Sequence, residues 1–177
     1  MDASDKKRIV IIGDAGRGKT TLAKKLSKKL GVPMHSTDDL FWKVKFSIQE
    51  EPAVREQKAS ELFYNPEWIV EGTTHDMLKF GYEPSELIIH LMFPSIIMQW
   101  YAITRRAVIR HRNKTEKETI RGVFLLCRHV LYKKYKLEYK KNDPTIQENL
   151  APYKHKVVEL RSYKEIERFL NTLQSIK

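Results

Sequence analysis

Short runs of consecutive aliphatic residues alternate along this chain with longer stretches in which apolar positions recur every three or four residues. Runs of about four to eight apolar residues suit strands covered on both faces, because successive side chains point to opposite sides. The periodic stretches suit helices with one buried stripe. Arg8 to Ile12 predicts the first strand. From about Lys19 to Leu30 a helix follows. Its Leu22, Leu26 and Leu30 lie four apart, Lys24, Lys25, Lys28 and Lys29 point outward, and Gly31 and Pro33 end it. Val32 to Ser36 is a short strand, and Pro52 stands at the first turn of a helix running to about Tyr64. Trp68-Ile69-Val70, closing on Glu71-Gly72, is a third strand, and Leu87 to Phe93 a fourth. Pro94 opens a long helix to about Arg112. Thr115-Glu116-Lys117-Glu118 has the capping-box pattern and starts a helix to about Lys141, before a break at Asn142-Asp143-Pro144. A short helix comes next, then a fifth strand, Lys156 to Leu160. The last helix sits behind a second capping box, Ser162-Tyr163-Lys164-Glu165, and carries Ile166, Phe169, Leu170 and Leu173 as its stripe. Five strands separated by helices predict an α/β fold with a mostly parallel sheet, in one domain spanning 1–177.

The turn after the first strand adds chemistry to this pattern. Gly13-Asp14-Ala15-Gly16-Arg17-Gly18-Lys19-Thr20 fits G-x-x-x-x-G-K-[ST] at every fixed position, directly after an aliphatic strand and at the head of an amphipathic helix. The glycines let the backbone curl around an anion with its N–H groups inward, and the helix aims the positive end of its dipole at the same place. Lys19 is expected to reach the β- and γ-phosphates of a nucleoside triphosphate, and the Thr20 hydroxyl to ligate Mg²⁺. Thr21 is either an α-phosphate contact or a helix-surface threonine. Guanine recognition favours an N-K-x-D box after a strand. Asn113-Lys114-Thr115-Glu116 ends in Glu and follows a basic helix, so it reads as a polar turn, and ATP is the expected nucleotide.

Ligands of open parallel sheets bind beyond the carboxyl ends of the strands. Asp38 and Asp39 follow the second strand, and Glu71 ends the third. Asp38 is the candidate general base or acceptor-orienting residue, Asp39 a candidate N-cap for Leu40-Phe41-Trp42, and Glu71 a candidate contact to Mg²⁺ or to the acceptor. His75 and His90 stand outside any Cys/His cluster of metal spacing and read as ordinary.

Charge supplies a second theme. The chain of 177 residues carries a net charge of +11, and residues 101–141 alone hold thirteen Lys/Arg against three Asp/Glu. Such an excess attracts nucleotides, nucleic acids or anionic surfaces without choosing among them. Arg105, Arg106, Arg110 and Arg112 form the first cluster; Arg106 and Arg110 share a helix face and suit the charge that builds on a transferring phosphoryl group. A mobile arm of this kind can close over a nucleotide as a lid. Further on, Lys133-Lys134-Tyr135-Lys136 and Tyr139-Lys140-Lys141 interleave aromatics with lysines, as a weak single-stranded nucleic-acid surface does, or as a plain solvated helix does. Cys127 stands alone, so no internal disulfide forms, and its helical setting predicts a small core residue. Leu87 to Ile103 is broken by His90, Pro94, Ser95 and Gln99, too soon to span a membrane, and Ile9 to Ile12 is too short for a signal peptide. A cytoplasmic protein is expected.

Three segments together carry a family resemblance. Ile11 to Thr20, Thr37-Asp38-Asp39-Leu40-Phe41-Trp42 and Trp68-Ile69-Val70-Glu71-Gly72 resemble the bacterial DNA topology modulation proteins, described as related to adenylate kinase. The likeness continues through Phe93-Pro94, the Arg105-Arg106 helix and Leu160-Arg161-Ser162. It implies a P-loop kinase fold with a core, an acceptor-binding segment and an arginine-bearing lid. Lys19, Arg106 and Arg110 would serve phosphoryl transfer, Asp38 and Glu71 would face the acceptor and Mg²⁺, and Arg161 and Ser162 would lie near the adenine. The chain departs from the family at Glu71-Gly72-Thr73-Thr74, where Asp-Gly-Asn-Tyr is more usual. The expected activity is transfer of the ATP γ-phosphoryl to a small acceptor, a nucleotide or nucleoside. The alternatives are a nucleic-acid-binding NTPase and an ATP-binding protein with little turnover.

Overall fold

A computed structural model describes residues 5–44, 48–73, 75–92, 96–112, 123–125, 127–128, 131 and 145–173. The elements are β1 (Arg8–Gly13), α1 (Lys19–Leu30), β2 (Met34–Ser36), α2 (Thr37–Phe41), β3 (Trp42–Val44), β4 (Ile48–Gln49), α3 (Pro52–Tyr64), β5 (Trp68–Gly72), α4 (His75–Tyr82), β6 (Leu87–Leu91), α5 (Ile96–Arg112), α6 (Ile146–Leu150), a 3₁₀ turn (Ala151–Lys156), β7 (Val157–Leu160) and α7 (Tyr163–Thr172). Five strands form one sheet in the order β2-β5-β1-β6-β7, and every pairing in it is parallel. The sequence of the central strand explains its place. Ile9 and Ile11 enter one apolar cluster with α1 and α7, while Val10 and Ile12 enter another with α3, α4 and α6. An unbroken aliphatic run is needed where helices cover both faces.

The order matters for function. The chain leaves β1 toward β2 and β5 on one side, then crosses to β6 and β7 on the other. The crevice at the carboxyl end of β1, where the order reverses, is where such sheets hold ligands. Opposite-edge contacts tie the scaffold down. The Glu86 carboxylate accepts the backbone N–H groups of Lys7 (2.8 Å) and Arg8 (3.0 Å) at the start of β1. Lys29, in the last turn of α1, donates to the Leu170 and Leu173 carbonyls at 2.7 and 2.6 Å, satisfying acceptors that the end of α7 leaves open.

Several expectations need correction. The segment between Gly72 and Leu87, to which the sequence pattern assigns no particular element, holds α4 (His75–Tyr82), which buries Met77, Leu78 and Tyr82. Eight residues with glycine at position 81 give a weak periodic signal, and packing against α3 supplies what propensity lacks. Trp42–Val44 and Ile48–Gln49 pair antiparallel as a small second sheet. Asp39 is not the N-cap of the turn before Trp42; that helix starts two residues earlier, and the Ser36 hydroxyl accepts the Asp38 N–H at 3.3 Å. β2 begins at Met34, since Pro33 has no N–H to give a ladder, and Val32 is buried outside the strand. Cys127 is helical but only half-buried. The Ser162 hydroxyl caps α7 through the Glu165 N–H at 3.2 Å, while the Glu165 carboxylate reaches back to the N–H of Arg161 rather than Ser162. A reciprocal box does form at Thr145 and Glu148, ahead of α6. The Thr115 capping box, the Asn113–Glu116 turn, the Lys133–Lys141 stretch, the Asn142–Pro144 break, Thr74 and Phe93-Pro94 lie outside the described residues.

Candidate phosphate-binding site

The loop between β1 and α1 is built by its glycines. Gly16 and Gly18 have φ of 77° and 85°, in the left-handed region where side chains are strained. Gly16 also has no room for one: a Cβ there would stand 2.9 Å from Ile103 Cγ1 and 3.1 Å from the Gln99 carbonyl oxygen. α5 therefore presses directly on the loop. Gln99, itself buried, completes the contact by donating from Nε2 to the Ala15 carbonyl at 2.6 Å. In the sequence Gln99 stands out only as a break in an apolar run, with no role assigned to it. Its signal was that of one amide inside an apolar run, since a buried amide must find a partner.

Gly18 is the N-cap of α1, with no side chain to accept the first-turn N–H groups and no acidic residue in that turn. A helix N-terminus without a side-chain cap, behind a left-handed loop, is the kind of backbone arrangement that suits an anion. Lys19 is 7% exposed and donates from Nζ to the Asp14 carbonyl at 3.1 Å. Arg17 holds the Asp14 carboxylate at 3.0 Å. Gly13, Asp14, Ala15, Gly16, Arg17, Gly18, Lys19 and Thr20 thus form one continuous loop and helix start, and Thr21 is exposed on the first turn of α1.

The next contact joins the loop to the neighbouring strand. The Thr20 hydroxyl donates to Glu71 Oε1 at 2.8 Å. Glu71 is 6% exposed and lies beside Ile11 on β1 and Ser36 on β2 in parallel register. The register explains the meeting: β5 lies against β1 and ends level with it, so a side chain near its end faces the start of α1. A hydroxyl and a carboxylate are hard oxygen donors of the kind Mg²⁺ selects, and Mg²⁺ usually takes only one or two such ligands beside phosphates and water. The pair and the unblocked helix start fit a Mg²⁺-bound nucleotide.

The remaining candidates lie on α2, α4, α5, β6 and the turn between β7 and α7. Asp38 is exposed in the first turn of α2, two residues beyond Ser36, so it shares the carboxyl edge with Glu71. α2 packs on β5 and α4, and Thr37 fills the space that the missing side chain of Gly72 leaves. Arg55 of α3 lies 4.7 Å over the Phe41 ring, on the same wall as α2. Arg106 and Arg110 are on α5, one and two turns past the Ile103 that touches Gly16; their side chains lie outside the described residues. Arg161 is exposed and bonded to Glu159 at 2.8 Å, which raises its pKa further above the usual arginine value, and Ser162 is engaged as the cap of α7. His90 is buried within β6. His75 opens α4, its ring 5.4 Å from that of Tyr82, and burial lowers its pKa. Among the described residues no three His, Cys, Asp or Glu side chains cluster as a metal site, and no helix is long and apolar enough to cross a membrane.

The fold is similar to that of several solved kinases. The structure superposes on shikimate kinase from Bacteroides thetaiotaomicron with a TM-score of 0.53 at 17% identity, covering 94% of this chain and 95% of that one. Shikimate kinase from Acinetobacter baumannii gives 0.52 at 13%, over 96% and 92%. A gluconokinase from Sinorhizobium meliloti gives 0.51 at 14%, over 94% and 88%. In sequence the chain is similar to adenylate kinase of Mycolicibacterium smegmatis, 58% identical over 36 residues, or 20% of each chain. It is also similar to the uncharacterized Bacillus subtilis protein YqaC, 33% identical over 111 residues, covering 60% of this chain and 57% of that one. The chain therefore spans less than two thirds of the curated relatives it matches. No family model matches.

Proposed function

We propose that this protein is an ATP-dependent phosphotransferase of the adenylate-kinase-related, topology-modulation type, moving the γ-phosphoryl of ATP to a small acceptor, with a nucleotide or nucleoside as the favoured class. The single observation that carries this reading is the 2.8 Å hydrogen bond from Thr20 to Glu71 at the mouth of the glycine loop. It supports the reading because a hydroxyl and a carboxylate suit Mg²⁺, and the helix N-terminus and Lys19 beside them suit phosphate.

In this reading the loop amides and Lys19 hold the β- and γ-phosphates. Thr20 and Glu71 would hold Mg²⁺, which neutralises charge on the phosphate oxygens when bound. Asp38 orients the acceptor and takes the proton of its hydroxyl as that oxygen bonds to the γ-phosphorus and the bond to the β,γ-bridging oxygen breaks, releasing ADP. Arg106 and Arg110 belong to a basic lid spanning about 101–141 and stabilise charge on the transferring group. Arg161 and Ser162 flank the base. A cytoplasmic setting accompanies the use of ATP. The competing reading, a nucleic-acid-dependent NTPase, draws on the thirteen basic residues of 101–141.

The test is ADP release from Mg·ATP across a panel of nucleosides, nucleoside monophosphates and small hydroxyl compounds, with duplex and single-stranded DNA in parallel. Stimulation by one small acceptor, with its phosphorylated form appearing, is expected. Stimulation by DNA alone would overturn the reading in favour of the NTPase.

A further inference from the structure

The phosphate loop contains a carboxylate. Asp14, the residue after the first glycine of the motif, places a negative charge inside a turn whose other features attract anions. Uncompensated, that charge repels a triphosphate across a few ångströms of partly buried protein, where screening is weak. Arg17, three residues on, lies against it at 3.0 Å. The two side chains are 24% and 14% exposed, so both are largely withdrawn from water.

The surroundings fix this pair in place. Gly16 turns the chain between the two partners with its left-handed φ, and Ile103 closes the space beside it. Gln99 clamps the Ala15 carbonyl from the α5 side. The Asp14 carbonyl, meanwhile, receives Lys19. One residue therefore engages both cations of the loop, Arg17 through its carboxylate and Lys19 through its backbone.

We infer that Arg17 is a positioning residue that acts on the nucleotide through Asp14: it cancels the carboxylate and leaves Lys19 as the net charge that the phosphates meet. This rests on the nucleotide-binding reading above. It differs from the simpler view in which Arg17 itself grips a phosphate, and the two views predict opposite outcomes in a double-mutant cycle.

The experiment is equilibrium binding of Mg·ATP, by calorimetry, to the full chain and to its Arg17→Ala, Arg17→Lys, Asp14→Asn and Asp14→Asn/Arg17→Ala variants, with thermal unfolding as a check on folding. Arg17→Ala should weaken binding by about tenfold, Arg17→Lys by about threefold or less, and the double variant should recover to within about threefold of wild type. A double variant as weak as Arg17→Ala would overturn the inference and hand Arg17 to the phosphates. Should Arg17→Ala fail to fold, Arg17→Gln and Asp14→Asn/Arg17→Gln replace it in the same cycle, with the same recovery expected and the same failure to recover overturning the inference. Absence of Mg·ATP binding by the wild type would sink the nucleotide reading itself, and this inference with it.

Discussion

Lys19, Thr20 and Glu71 stand for three physical demands made on one small volume. The proposed site calls for a cation, a hydroxyl and a carboxylate, with the two charged groups withdrawn from bulk water so that their charges act more strongly. Lys19 and Glu71 are 7% and 6% exposed, and the hydrogen bond from Thr20 links the first turn of α1 to the end of β5. Lys19→Ala should abolish turnover while the thermal unfolding temperature stays near that of wild type. Glu71→Gln keeps the shape but weakens a metal-suited oxygen pair, so the Mg²⁺ concentration for half-maximal activity should rise by about tenfold or more. A titration of activity against Mg²⁺ checks this. Gly72→Ala would drive a methyl group into Thr37 and should cost about 1–3 kcal/mol of stability in denaturant unfolding.

At the scale of elements, α5 links the phosphate loop to the arginine cluster. Gln99 and Ile103 touch the loop, and Arg106 and Arg110 follow on the same helix. Loss of either arginine should lower turnover by at least about tenfold while changing ATP affinity less, a split that steady-state kinetics and direct binding resolve together. Unchanged turnover in both variants would remove the lid from the mechanism. Much of this arrangement was legible beforehand. The aliphatic runs marked the five parallel strands, and the spacing of Gly13, Gly18, Lys19 and Thr20 marked the loop. What escaped depended on three-dimensional company. α4 is short and is held by α3; the β3–β4 hairpin pairs only a few residues; the cap of α2 went to Ser36 because the helix starts earlier than Asp39. Gln99 was visible as a polar break in an apolar run, but its partner, a carbonyl 84 positions away, is supplied by the fold alone.

At the scale of the whole molecule, the two edges of the sheet have different tasks. The carboxyl edge gathers the loop, Glu71 and Asp38, while the opposite edge is stitched by Glu86 to the start of β1. Partial burial alone would raise the pKa of Glu86, but the N–H groups of Lys7 and Arg8 and the Arg8 charge outweigh it and hold the carboxyl below its usual 4.5. A carboxylate depressed in the folded state contributes stability above its unfolded pKa and loses it as pH falls through the folded one. Wild type should therefore lose stability below about pH 4.5 more steeply than Glu86→Gln, as chemical denaturation at a series of pH values would show.

Phosphoryl transfer, rather than nucleotide holding alone, is the task proposed for this edge. The most direct measurement follows the γ-phosphorus of Mg·ATP by phosphorus NMR in the presence of the acceptor that most stimulates ADP release. The γ signal should be replaced by that of a phosphorylated acceptor, and Lys19→Ala should stop the exchange. A γ signal that persists, or that becomes inorganic phosphate with no acceptor product, would contradict the proposed transfer.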